Sequence, residues 1–155
     1  SDLNPVIHPL SVNTRSTRSV FLRADVAAEA VLDQHSGSNH QNLFDQVTLH
    51  IDPKRGKDGW TYRLWAGGGA PYWKPGHGLY NTLWNAALVI PDTVPADATV
   101  AITSGIEGPG ERIVGLHANR PISVRYDPAP YIEGTGAAVT AVPSLYDYQR
   151  ARRRK

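Results

Sequence analysis

Val47-Thr48-Leu49-His50-Ile51-Asp52, then Pro53-Lys54-Arg55-Gly56-Lys57-Asp58-Gly59, then Trp60-Thr61-Tyr62-Arg63-Leu64-Trp65 is the stretch whose reading decides the fold. In its first part apolar Val47, Leu49 and Ile51 alternate with Thr48, His50 and Asp52, the period-two pattern of a half-buried strand. The last part is rich in β-formers, and the middle is a polar, glycine-bearing turn. Together they predict a β-hairpin, and a hairpin sets an antiparallel expectation for the strands around it.

The same texture extends in both directions. Val20, Leu22, Ala24 and Val26 alternate with Phe21, Arg23 and Asp25, although the Ala-rich run from Asp25 to Leu32 also suits a short helix. A Gly/Pro/aromatic loop spans Gly67 to Gly78, and a long apolar stretch runs from Leu79 to Ile90 before Pro91 and Pro95 break it. Strand-like segments resume at Thr99–Ile106, Arg112–Leu116 and Ile122–Tyr126, with no internal repeat of useful period. Residues 19–126 are therefore expected to form an all-β body, an antiparallel β-sandwich or jelly roll.

The two ends look different from this body. Residues 1–18 carry Pro5 and Pro9 among Ser, Thr and Asn, and residues 127–155 carry Pro128, Pro130, Gly134, Gly136 and Pro143. Proline fixes φ and biases its predecessor toward extended geometry, so both ends are expected to be extended arms. An eighteen-residue arm reaches about 60 Å when fully extended, further than a body of radius of gyration near ~13 Å. Arg150, Arg152, Arg153, Arg154 and Lys155 supply five of the sixteen positive charges, so the rest of the chain holds eleven against fourteen negative, a net of −3. The basic character belongs to the tail. Tyr146 and Tyr148 just before it, two apart on an extended arm, are expected to point to one side and enter a partner's apolar grooves, with the arginines steering.

With no cysteine in 155 residues, disulfide frameworks and thiolate metal sites are excluded. No apolar run approaches the roughly 20 residues that span a bilayer, so no membrane partner is expected. A small Ser1 is what removal of an initiator methionine leaves, which predicts a chain that begins where its gene does. His8, His35, His40, His50, His77 and His117 show no metal-ligand spacing, and no cofactor is expected. Ser104 lacks the Gly-x-Ser-x-Gly elbow, and Glu107 and Glu111 flank a Gly-Pro-Gly turn where carboxylates keep a hairpin tip solvated, so no catalytic residue is assigned and no enzyme is expected. The tail lacks interleaved aromatics and the body has the wrong sign for nucleic acid. The loop residues Tyr72, Trp73 and His77 are the best ligand candidates, because exposed rings beside polar groups anchor protein partners or stack on sugars.

A cysteine-free β body with Pro-punctuated arms, short strands at Val47–Asp52, Trp60–Trp65 and Leu79–Ile90, and an aromatic loop at Tyr72-Trp73 resembles the small structural proteins of tailed bacteriophages. These are head-decoration (cement) proteins and small tail or neck subunits. The resemblance implies a virion component made in the host cytoplasm, a homo-oligomer that clamps major capsid or tail proteins through its arms. The alternative reading is a carbohydrate-binding or receptor-binding β-sandwich module with Tyr72, Trp73 and His77 at its surface.

Overall fold

The computed structural model describes residues 10–12, 15–27, 29–35, 37–66, 78–103, 110–125 and 128–154. The chain winds in coils, and each coil lays short strands on successive faces of a solenoid. The first coil holds β1 (Leu10–Val12), β2 (Val20–Leu22) and β3 (Asp25–Val26). The second holds β4 (Leu32–Gln34), β5 (Leu43–Asp45), β6 (Thr48–His50), β7 (Lys54–Gly56) and β8 (Gly59–Arg63). The third holds β9 (Trp65–Ala66), β10 (Thr82–Trp84), β11 (Ala87–Val89) and β12 (Val100–Thr103). β13 (Arg112–Val114), β14 (His117–Ala118) and β15 (Ile122–Arg125) make the fourth, followed by β16 (Tyr131–Glu133) and helix α1 (Leu145–Arg153).

Strands pair with the coil before and the coil after, and every pairing but one is parallel. Face I is β1-β4-β9, face II is β2-β5-β10-β13-β16, face III is β3-β6-β11-β14 and face IV is β7-β8-β12-β15. Only β7 and β8 are antiparallel, through the turn at Lys57-Asp58. The expected antiparallel sandwich or jelly roll is thus replaced by a β-rich solenoid of parallel sheets. The predicted hairpin survives in part: its turn exists, but Thr48–His50 pairs in parallel with β3 and β11 on another face. The physical reason lies in the corners.

Between faces II and III the chain turns at Arg23, Gln46, Asn85, Gly115 and Gly134, all with left-handed φ between 50° and 67°. A two-residue connection with a left-handed residue reads as a hairpin turn in a sequence. Here it sends the next strand onto a new face, and the hydrogen-bond partner lies one coil away. Side chains at the tightest corner are excluded: a Cβ on Gly115 would sit 2.5 Å from Val139 Cγ2. A second left-handed corner, entering face II, is formed by Arg18, Gln41, Tyr80 and Gly110.

Register stacks like on like. Phe21, Phe44, Leu83, Ile113 and Ile132 share one inward column of face II, with the Phe21 and Phe44 rings stacked at 5.0 Å. Leu10, Leu32 and Trp65 do the same on face I, and Val26, Leu49, Leu88 and Ala118 on face III. Each fully buried Leu, Ile or Phe contributes about 1.5–3 kcal/mol of transfer free energy, so these columns carry the body. A polar ladder runs beside the face II column: Asn42 Oδ1 accepts from Ser19 N at 3.1 Å and Asn81 Oδ1 from Asn42 N at 2.8 Å. These amides satisfy the interior N–H groups that a corner leaves without a strand partner.

The expected arms are partly built into this body. Leu10–Val12 is a strand, while residues 1–9 lie outside the described residues. In the C-terminal segment, β16 extends face II and α1 is a nine-residue helix. The linking chain is strapped along the outside of face II. Asn85 holds Val139 through both its amide atoms, and Trp84 Nε1 donates to Val142 O at 2.9 Å. Buried Asp45 accepts from Ser144 Oγ and from Tyr146 N, both at 2.8 Å, and Arg23 pairs with Asp147. Ser144 also caps the helix by accepting from Asp147 N at 3.1 Å. Among the described residues no helix is long and apolar enough to cross a membrane.

Two predictions test these contacts. Asp45→Ala leaves the Ser144 hydroxyl and the Tyr146 N–H without their acceptor, and is expected to lower stability by about 1–3 kcal/mol, read from the urea midpoint. The second concerns Tyr62, whose hydroxyl donates to Ala30 O at 2.8 Å. Burial first, then the charges of Glu29 and Asp52, raises its pKa above the usual value near 10. The unfolded chain therefore releases this proton first, and the contribution of Tyr62, complete below pH 10, falls as pH rises through the alkaline range. Tyr62→Phe is expected to flatten that alkaline loss, measured by urea unfolding at pH 8 and above pH 10.

Candidate functional site

Of the residues singled out from sequence, His8, Tyr72, Trp73, His77, Ser104, Glu107 and Lys155 lie outside the described residues. Both ends of the aromatic loop are visible, however. Ala66 is the register partner of Asp33, and Gly78 N donates to Asn39 O at 3.0 Å and to Asn39 Oδ1 at 3.1 Å. Gly78 has φ +71°, and a Cβ there would come within 3.2 Å of Glu111 Oε1 and Gln34 Oε1. Glu111, expected at a solvated hairpin tip, is instead buried.

Tyr146 and Tyr148 do not share a side as expected. Helical geometry places residues two apart about 200° from each other. Tyr146 is half-buried, while Tyr148 is exposed and carries the Arg152 guanidinium 4.4 Å from its ring centroid. Arg150, Arg152 and Arg153 are exposed in the last turn of α1, where cations oppose the helix dipole, and exposed Arg154 is the C-cap. The signal for this helix was present in Ser144-Leu145-Tyr146-Asp147, a capping pattern overridden by the prolines and glycines upstream.

Folding brings together polar groups that sequence reasoning left apart. Asp33 is 1% exposed although it lies on an outward-facing column, and its Oδ2 accepts from Ser11 Oγ at 2.8 Å and contacts His35 Nδ1 at 3.1 Å. A carboxylate that fixes one imidazole nitrogen is the orienting half of an acid–base device. The serine, however, bonds to the carboxylate and not to the imidazole, so these three atoms do not form a nucleophile–base pair. On face III, His50 Nε2 lies 3.2 Å from Asp25 Oδ1. His40 and His117 bond through Nδ1 to the carbonyls of Ser38 and Gly115. Among the described residues no three His, Asp or Glu side chains converge as a metal site.

An open cleft of about 400 Å³ lies between α1 and face II. Leu43, Thr82 and Arg112, consecutive in one outward column, make its sheet wall. Gln41 and Tyr80 from the left-handed corner form its shoulder, and Leu145 and Gln149, one turn apart on α1, form the opposite wall. Tyr80 is 49% exposed with φ 55°, a conformation that bulky residues rarely adopt. The fold imposes that conformation at every coil, so what is particular is the presence of a large ring there. The Cδ1–Cε1 edge of the ring is set against the next coil: a Cβ at Gly110 would come within 2.4 Å of Tyr80 Cδ1. Any side chain at position 110 would therefore displace the ring.

The outward column continues from Arg112 to Tyr131, which is 57% exposed and donates its hydroxyl to Glu133 Oε2 at 2.8 Å. That bond first, and the Glu133 charge second, raises the Tyr131 pKa, so the ring stays neutral. Tyr80 and Tyr131 are two coils apart, about 10 Å along the axis from two strand spacings of ~4.8 Å. Sequence comparison with protein-family models and with curated proteins, and structural comparison with solved structures, give no match to this chain.

Proposed function

We propose that this solenoid is a carbohydrate-binding module, and that the cleft between α1 and face II receives an extended polysaccharide chain. The observation that carries the reading is the Tyr80 ring, half exposed at the mouth of the cleft with its Cδ1–Cε1 edge set against Gly110. A pyranose presents a flat face of C–H groups that stacks on such a ring, and a ring already fixed loses little entropy on binding. Gln41, Thr82 and Gln149 bring amide and hydroxyl groups to the same recess, which is the mixture of a flat apolar platform and directional polar groups that sugars require. Tyr131 extends the line by about 10 Å, the span of two linked sugar rings.

A β module that binds sugar is kept from the sequence reading, but its site moves from Tyr72, Trp73 and His77 to described residues. The virion-subunit reading drew its support from the Pro-punctuated arms, the short strands and the aromatic loop at Tyr72-Trp73. The described part of the C-terminal segment instead grips its own body through Asp45, Trp84 and Asn85. That weakens one of its supports, the free C-terminal arm.

The test is affinity electrophoresis of the protein through gels containing a neutral β-glucan, a galactan or polygalacturonate. At least one polymer is expected to retard it, and Tyr80→Ala to weaken that retardation about tenfold or more while the urea midpoint stays unchanged. Migration unaffected by every polymer, or retardation indifferent to Tyr80→Ala, would overturn the proposal.

A further inference from the structure

We infer that the polysaccharide this cleft selects is acidic, a uronate-bearing chain whose carboxylate is held by Arg112; the inference rests on the carbohydrate reading above. Open recesses among the described residues differ in charge, and the one lined by Arg23 and Asp147 carries both signs. The recess on face III is walled by Glu29, Asp52 and His50, with Asp25 beside the histidine. Among the described residues, the cleft on face II has no carboxylate in its walls, and Arg112 is its one charged lining residue.

Arg112 is exposed and has no ion-pair partner among the described residues, in contrast to Arg23, which pairs with Asp147, and Arg120, which pairs with Asp92 at 2.7 Å. Carboxylates of face II and α1 are committed elsewhere. Asp45 accepts from Ser144 and Tyr146, Asp147 is engaged by Arg23, and Glu133 accepts the Tyr131 hydroxyl. Arg112 is in register with Tyr131 one coil above and with Thr82 one coil below, and Tyr80 stands at the corner two residues before Thr82. A sugar ring stacked on either tyrosine therefore brings its C6 substituent toward a planar fork of donors, and a carboxylate there accepts two parallel hydrogen bonds where a hydroxymethyl group accepts one. Leu145, Gln149 and Arg153 follow one another at i, i+4 and i+8, so a second cation continues the helix wall beyond the cleft.

Polygalacturonate and its fully methyl-esterified form provide the test, because they share one backbone and differ in the carboxylate charge. Affinity electrophoresis and calorimetry with the intact protein are expected to show about tenfold tighter binding to the free acid, a preference that shrinks as salt rises from 50 to 500 mM. Arg112→Gln is expected to erase the preference by weakening only the acid form. Arg112→Lys, which keeps the charge and loses the fork, is expected to fall between. Equal binding of the two polymers by the native protein would overturn the inference and leave the carbohydrate reading standing, whereas no binding of either, or of any neutral polymer, would overturn both. Binding of single-stranded DNA as tight as that of polygalacturonate, with the same loss on Arg112→Gln, would show an unselective polyanion site and also overturn the inference.

Discussion

Parallel register between coils is the constraint on which everything else depends. A strand of three residues makes too few hydrogen bonds to hold a position alone, so each coil is stable only when it lies over its neighbour with every column aligned. Alignment in turn requires the corners to repeat. Arg18, Gln41 and Tyr80 accept a left-handed conformation that costs L-residues about 1–2 kcal/mol each, because a right-handed residue there would misdirect the following strand. Corner side chains offset part of this cost by bonding to one another, as Arg23 Nε does to Gln46 Oε1 at 3.1 Å. The Ser19–Asn42–Asn81 ladder performs the same service inside, where no water can reach the turned backbone.

The functional reading follows from that geometry. A repeating corner places a side chain on the same ridge at every coil, and a repeating strand places another beside it. Binding residues are therefore found as substitutions within structural columns. Tyr80 occurs where Gln41 stands one coil earlier, and Arg112 where Thr82 and Leu43 stand before it. Neither is needed for the column to form. Each departs from what packing alone would select, toward a large exposed ring in one case and an exposed cation in the other.

Much of the strand content was legible from alternation, and Val47–Ile51 and Trp60–Leu64 are extended as read. Strand direction was not, because period two reports that one side of a strand is buried and is silent about where its partner lies. The repeat itself is present in Ser19-Val20-Phe21, Asn42-Leu43-Phe44 and Asn81-Thr82-Leu83. It escapes a search for a fixed period because the column positions Phe21, Phe44, Leu83, Ile113 and Ile132 are 23, 39, 30 and 19 residues apart, the differences being loops and the β7–β8 hairpin. The cleft was illegible for a related reason. Gln149 reaches Tyr80 only through a strap whose anchors, Asp45 and Asn85, look in the sequence like ordinary turn residues. Arg112 read as the first residue of a strand, and nothing local marked it as an unpaired cation beside two rings.

The strap has a consequence for how the protein is made. Stacked coils have neighbours close in sequence, so the body can assemble in the order in which it leaves the ribosome. The final segment does not obey that order, since Ser144 closes onto Asp45 across 99 residues and Asp147 onto Arg23 across 124. Those closures form only after the intervening coils exist, and they join residues made late to residues made early. A stack that could fray one coil at a time thereby gains a fastening between its ends, and loss of the terminal helix exposes the earliest coils together with the latest.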